Sequence, residues 1–196
     1  MNKSTTMDLE RELTEAEGEF LKARERLAEL RRQLPREEVK DYPLKGWDGL
    51  EAKLSSFFGD KKDLILIHNM GTGCAYCTMW ADGFNGVFHH LENRAGFVVV
   101  SPNDPETQKK FALSRGWKFK MYSAKGSAFN KDMGFENEKG GAQPGVSVFR
   151  KEPDGKILRV SKAEFGPGDD FCAVWHLFDL LVGGPAGWEP KFRYQG

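Results

Sequence analysis

Residues 63–80 read DLILIHNMGTGCAYCTMW, an aliphatic run ending at His68, a glycine-bearing turn, and two cysteines two residues apart. An unbroken isoleucine- and leucine-rich run of this length marks a strand buried on both faces. The following segment, CTMWADGFNGVFHHLENRAG, reads as a helix interrupted by Gly83 and Gly86. Cys74 therefore falls at a helix N-terminus, where unpaired backbone N–H groups favour an anion, and a thiolate is one. The thiolate is the reactive form, so this position lowers the pKa of Cys74 and activates it. Cys77, one helical turn later, is placed to attack a mixed disulfide on Cys74 and leave an intramolecular disulfide.

Working outward, FVVVSPND (97–104) is a second buried strand, and PETQKKFALSRG (105–116) is a helix with proline in its first turn and glycine after its end. WKFKMYSA (117–124) is a third strand with one more exposed face. A polar, glycine-rich stretch leads to VSVFRKEPDGKILRVS (146–161), a hairpin turned by Pro153, Asp154 and Gly155. DFCAVWHLFDLL (170–181) is an amphipathic helix able to cover one sheet face. Upstream, EVKDYPL (38–44) reads as a short edge strand and GLEAKLSSFFG (49–59) as a turn and short helix. Alternating strands and helices followed by a hairpin and a helix define an α/β sandwich with a mixed sheet.

Residues 1–35 are different in kind. Apolar residues fall at Leu9, Leu13, Ala16, Phe20, Ala23, Leu27, Leu30 and Leu34 in an alternating four-three spacing, with Glu, Arg and Lys elsewhere, until Pro35 ends the pattern. That is a heptad stripe, and it needs a partner: either the protein's own body or a second arm in a homodimer. The expected organisation is an amphipathic helical arm over 1–35, an α/β domain over 36–182 and an irregular tail over 183–196.

Lys plus Arg and Asp plus Glu balance at 29 each, so no global field draws the chain to nucleic acid or to anionic membranes. No stretch approaches the roughly 18 apolar residues of a membrane helix, and the first residues carry no apolar signal core. The expectation is a soluble cytoplasmic protein. Three cysteines make no disulfide framework, and in a reducing compartment a CxxC pair is redox-active or metal-binding. Zinc is the rival reading, with Cys74 and Cys77 joined by His68, His89 or His90. Adjacent histidines on a helix point about 100° apart, which argues against His89 and His90 sharing one ion. No metal is expected. Cys172 and Trp80 read as core residues.

The order strand, CxxC helix, strand, helix, strand, hairpin, helix resembles the thioredoxin-like superfamily over roughly residues 36–182. FVVVSPNDPETQKKFALSRGWKFKMYSA resembles its peroxiredoxin branch. CTMWADGFNG with LILIH before it is most similar to a bacterial thioredoxin-like family, domain of unknown function eight-nine-nine. The resemblance implies a three-layer sandwich with a mixed central sheet behind the helical arm. It also implies that Pro144, ahead of the hairpin, is a cis-proline shaping a substrate groove, and that His68 occupies the place of a buried proton-carrying acid serving Cys77. Tyr76 either lines the docking surface or shields the disulfide. Two positions depart from the relatives: Gly73 stands where thioredoxins carry tryptophan, and Gly71 where peroxiredoxins carry threonine or serine.

The expected function is a thiol–disulfide oxidoreductase acting on a protein or small-molecule disulfide, recharged by a separate reductant. It needs no bound cofactor, because the electrons reside in the dithiol. The alternatives are a dimeric binding or scaffold protein with a passive or regulatory CxxC, and a peroxide-reducing thiol enzyme.

Overall fold

The computed structural model describes residues 3–195. They divide into two compact units, one up to Arg36 and one from Glu37 onward. The first is one helix, α1 (Lys3–Gln33), which ends just before Pro35. Residues 183–195 form no helix or strand, yet they belong to the second unit, where Trp188 packs edge-on against Phe178 at 4.9 Å.

The second unit is built on eight strands: β1 (Glu37–Val39), β2 (Pro43–Lys45), β3 (Glu51–Lys53), β4 (Asp63–His68), β5 (Gly96–Ser101), β6 (Lys120–Ser123), β7 (Gly145–Lys151) and β8 (Ile157–Glu164). Their order is β1-β8-β7-β4-β5-β6-β2-β3. β4 pairs parallel with β5 and β5 with β6, whereas β7 pairs antiparallel with β4 and β8. A long helix, α2 (Ala75–Arg94), follows β4, and α3 (Pro105–Arg115) follows β5. A one-turn helix, α4 (Phe129–Asp132), and a short α5 (Ala173–Asp179) complete the set. This is the expected thioredoxin-like layered α/β fold, preceded along the chain by an N-terminal helix.

Alternation along the central strands sorts the core into two clusters. Ile65 and Ile67 of β4, with Phe97 and Val99 of β5, join Cys77, Trp80 and Phe88 of α2. Leu64, Leu66, Val98 and Val100 point the other way, onto Phe57, Phe58, Phe129 and Phe135.

Several local expectations change. EVKDYPL is not one strand but two, β1 and β2, which lie near opposite edges of the sheet. A flat sheet would set those strands about 29 Å apart, while the linker from Val39 to Pro43 spans at most about 14 Å. The sheet therefore curls until its edges meet around the second cluster, where Val39 and Tyr42 pack. α2 runs unbroken through Gly83 and Gly86, because both glycines face outward and the buried face of the helix holds its register. The last helix is shorter than its pattern, seven residues, with turns after it. The Pro153-Asp154-Gly155 turn closes β7 onto β8 as read, with Asp154 Oδ1 accepting the Lys156 N–H at 3.1 Å.

Candidate dithiol site

The end of β4 delivers the chain into a tight loop that aims two thiols at the start of α2. Asn69 begins it: its backbone N–H donates to the Val100 carbonyl at 2.9 Å, and its side-chain oxygen accepts from Gly71 N–H at 2.7 Å. Gly71 adopts φ 101°, a left-handed conformation that side chains resist, and a Cβ there would collide with the Asn103 carboxamide oxygen. That same oxygen accepts the Thr72 N–H at 2.9 Å. Asn103 thus reaches from the β5–α3 turn to hold the loop that carries Cys74.

Cys74 is the N-cap of α2. Its Sγ accepts the backbone N–H of Cys77 at 3.0 Å, and its carbonyl accepts both the N–H and the hydroxyl of Thr78, at 3.0 and 2.9 Å. Both thiols are free; Cys74 is half-buried and Cys77 buried. The Cys77 thiol, followed by the backbone N–H groups of Cys77 and Tyr76, holds the Cys74 pKa down to about 7, with burial opposing. Cys77 is pushed well up, first by its hydrogen bond to Cys74, then by burial and the nearby negative charge. Met70 N–H lies 3.4 Å from Cys77 Sγ. The pair is therefore polarised into one thiol that ionises near neutrality and one that keeps its proton, the division of labour that a two-cysteine exchange requires.

Gly73, immediately before Cys74, is exposed, and a Cβ there would meet nothing within 4 Å. The approach to Cys74 is open where thioredoxins carry tryptophan. Tyr76 is half-buried; its ring centroid lies 6.2 Å from those of both Trp80 and Trp175, so it forms part of an aromatic layer over the start of α2.

Two expectations are corrected. His68 does not serve Cys77. It falls on the Leu64–Leu66 face of β4, stacked 3.8 Å from Phe135, with Nε2 hydrogen-bonded to Ser147 Oγ at 2.9 Å, whereas Cys77 joins the cluster on the opposite face. Burial, with the Arg159 charge adding to it, presses its pKa down to about 3 against the Asn130 side chain, so it stays a neutral core group. Pro144 is not a cis-proline: no cis peptide bond occurs among the described residues. Its location does match, since Gly145 pairs with His68 and sets Pro144 at the sheet end from which the dithiol loop leaves.

His89 and His90 are exposed on α2, away from the dithiol loop, and His89 Nδ1 lies 3.3 Å from Glu92. Among the described residues no three His, Cys, Asp or Glu groups converge on a metal position. Asp82 and Asn85 bond outside their own helix: Asp82 accepts from Trp117 Nε1 at 2.8 Å and from Arg115, and Asn85 bonds Gly116 and Lys118. Cys172 is buried at the N-cap of α5, where burial raises its pKa. Asn69 and Asn103, which shape the loop, were not singled out from the sequence. Their one signal there is an asparagine shortly after each central strand's aliphatic run, two residues past Ile67 in IHN and three past Val100 in VSPN.

A dithiol on the first turn of a helix, at the end of the parallel strands of a mixed sheet, defines the thioredoxin-like class. Within it, the chain belongs to the family described as bacterial protein of unknown function (DUF899), whose model matches residues 3–191. Its sequence is also 25% identical over 127 residues to chloroplastic peroxiredoxin Q from Populus jackii, a match covering 64% of this chain and 59% of that protein. Similar solved structures include a peroxidoxin, BcpB, from Mycobacterium tuberculosis, with TM-score 0.53, 24% identity, and 66% and 84% of the two chains covered. Another is reduced Prx3 from Vibrio vulnificus in complex with hydrogen peroxide, with TM-score 0.56, 16% identity, and 70% and 91% covered. A cysteine-to-serine variant of peroxiredoxin Q from Xanthomonas campestris matches with TM-score 0.53 at 20% identity, over 63% and 80%. At these identities the solved structures establish the shared fold. No helix among the described residues is long and apolar enough to cross a membrane.

Proposed function

We propose that this protein is a thiol–disulfide oxidoreductase in which Cys74 attacks and Cys77 resolves. The observation that carries the reading is the Cys74 Sγ at the helix start, 3.0 Å from the Cys77 backbone nitrogen, beside a buried Cys77 thiol whose pKa is pushed well up. Cys74 thiolate displaces one sulfur of a substrate disulfide, forming a mixed disulfide and releasing a thiolate that takes up a proton from solvent. Cys77 then loses its proton to solvent and attacks Cys74 Sγ, expelling the second substrate thiolate. Two electrons leave the dithiol, and a separate dithiol or small-thiol reductant restores it. With His68 on the far side of the sheet, solvent at the open Gly73 edge supplies the proton path. Pro144 and Tyr76 flank the approach, and a homodimer through the arm is compatible with this chemistry.

The test is to mix reduced protein with glutathione disulfide and map the products by mass spectrometry. The expected product is a Cys74–Cys77 disulfide; Cys77→Ser should trap glutathione on Cys74, and Cys74→Ser should trap none. A trapped adduct on Cys77, or none on either cysteine, overturns the reading.

The likeness to a protein named peroxiredoxin Q favours a second reading, in which a peroxide oxidises Cys74 to a sulfenic acid that Cys77 condenses with, releasing water. Peroxide consumption by the reduced protein, outpacing its exchange with disulfides, would select it.

A further inference from the structure

α1 carries more information than an apolar stripe. In heptad notation Leu13, Phe20, Leu27 and Leu34 occupy a, and Leu9, Ala16, Ala23 and Leu30 occupy d. Leu9, Leu13, Phe20, Leu27, Leu30 and Leu34 are 41–60% exposed. The stripe covers residues 9–34, nearly four heptads, enough for a two-stranded coiled coil. Gly18 falls at the outward f position, where its missing side chain leaves no gap in a seam.

The flanking positions divide by charge. The e residues are Glu10, Glu17, Arg24 and Arg31, and the g residues are Glu12, Glu19, Arg26 and Gln33. Along the arm as a whole, residues 8–19 hold six acids and one base, while residues 22–36 hold six bases and two acids. The charges at e and g set the orientation of a coiled coil. In a parallel pair, g faces the next e of the other copy, which sets Glu12 against Glu17 and Arg26 against Arg31, two like-charge contacts that repel, and leaves Glu19 against Arg24 as the one attractive contact. In an antiparallel pair, e faces e and g faces g. Glu10 then meets Arg31, Glu17 meets Arg24, Glu19 meets Arg26, and Glu12 meets Gln33, with no like-charge contact.

The core residues give the same answer from volume, independently of charge. With the two-fold axis between Leu21 and Lys22, antiparallel layers join Leu9 to Leu34, Leu13 to Leu30, Ala16 to Leu27 and Phe20 to Ala23. The one aromatic side chain meets an alanine, and the other alanine meets a leucine. A parallel pair would stack Phe20 on Phe20 and leave Ala16 on Ala16 and Ala23 on Ala23, alternately overfilled and hollow, and close packing penalises both.

We infer that α1 is a dimerisation element that docks a second copy of this chain antiparallel along the Leu9–Leu34 stripe, with its acidic first half on the basic second half of the other copy. The inference does not depend on the dithiol chemistry. In the full-length protein, sedimentation equilibrium should return twice the 22.1 kDa chain mass at micromolar concentration. Glu17→Arg with Glu19→Arg, and separately Arg24→Glu with Arg26→Glu, should each weaken self-association at least tenfold, and an equimolar mixture of the two variants should restore the dimer. A photocrosslinking benzoylphenylalanine in place of Leu13 should label the peptide around Leu30 of the other copy. A monomeric wild-type chain, as when the arm covers its own body, overturns the inference. So do charge variants that dimerise as well as wild type, a mixture that stays monomeric, and a Leu13 crosslink to the region of residue 13.

Discussion

Cys77 donates its backbone N–H to the sulfur of Cys74 at 3.0 Å, while its own thiol is buried beneath. One residue therefore stabilises the Cys74 thiolate and withholds its own proton. Because the Cys74 pKa is held down to about 7, the thiolate fraction rises as pH rises through neutrality. Alkylation of Cys74 by iodoacetamide should reach half its maximal rate near pH 7. At that pH it should exceed an unperturbed thiol by roughly tenfold, with Cys77 unlabelled. Since the Cys77 thiol is the largest cause of the shift, Cys77→Ala should move the Cys74 profile toward higher pH. Peptide-resolved alkylation from pH 5 to 10 checks both statements.

His68 should reveal itself in stability and not in thiol reactivity. Its pKa, pushed down to about 3 by burial, lies below the ordinary value of 6.5, so the unfolded chain binds the proton first as pH falls. The stabilisation is full above about 6.5 and is lost as pH drops toward about 3, at up to about 1.4 kcal/mol per pH unit. Urea midpoints at pH 7 and pH 5 should differ more in wild type than in His68→Asn. The alkylation profile of Cys74 should be unchanged in that variant, because the two side chains lie on opposite faces of the sheet.

Gly71→Ala should destabilise the protein by about 1–3 kcal/mol, through both its positive φ and the collision with Asn103. Asn103→Ala alone should cost about 1 kcal/mol, from loss of the bond to Thr72 N–H. Combined, the two should cost less than their sum, since removing the carboxamide relieves the collision. A thermal-melt double-mutant cycle measures the coupling, and additive losses would show that the two residues do not act on each other.

Asp82→Ala should cost about 1–3 kcal/mol by leaving the buried Trp117 indole N–H and Arg115 without their shared acceptor. Cys74 reactivity should remain at the wild-type level, because Asp82 ties α2 to the α3–β6 turn about two helical turns after Cys74. Equal loss of stability and of Cys74 alkylation rate would contradict that separation.

Local chemistry was legible in the sequence wherever neighbours along the chain decide it. The aliphatic run of β4 announced a buried strand, the CxxC after it announced a helix-start dithiol, and Pro153-Asp154-Gly155 announced a hairpin turn. Proline and glycine bracketed α3, and the four-three spacing, e and g charges included, was written along α1. Each of these rests on backbone preferences or on a period fixed within a single element.

Tertiary structure alone decided the relations between elements. Alternation along β4 put His68 on the same face as Leu66, but nothing in the strand states that α2 packs on the other face, and that packing removes His68 from Cys77. Val39 and Pro43 are four residues apart, yet their strands join opposite edges of a curled sheet, an outcome set by the pairing partners β8 and β6. Asn103 meets Gly71 and Asp82 meets Trp117 across more than thirty residues of chain. Such contacts exist only once the sheet order brings distant loops together, because side-chain packing depends on position in space and not on separation in sequence.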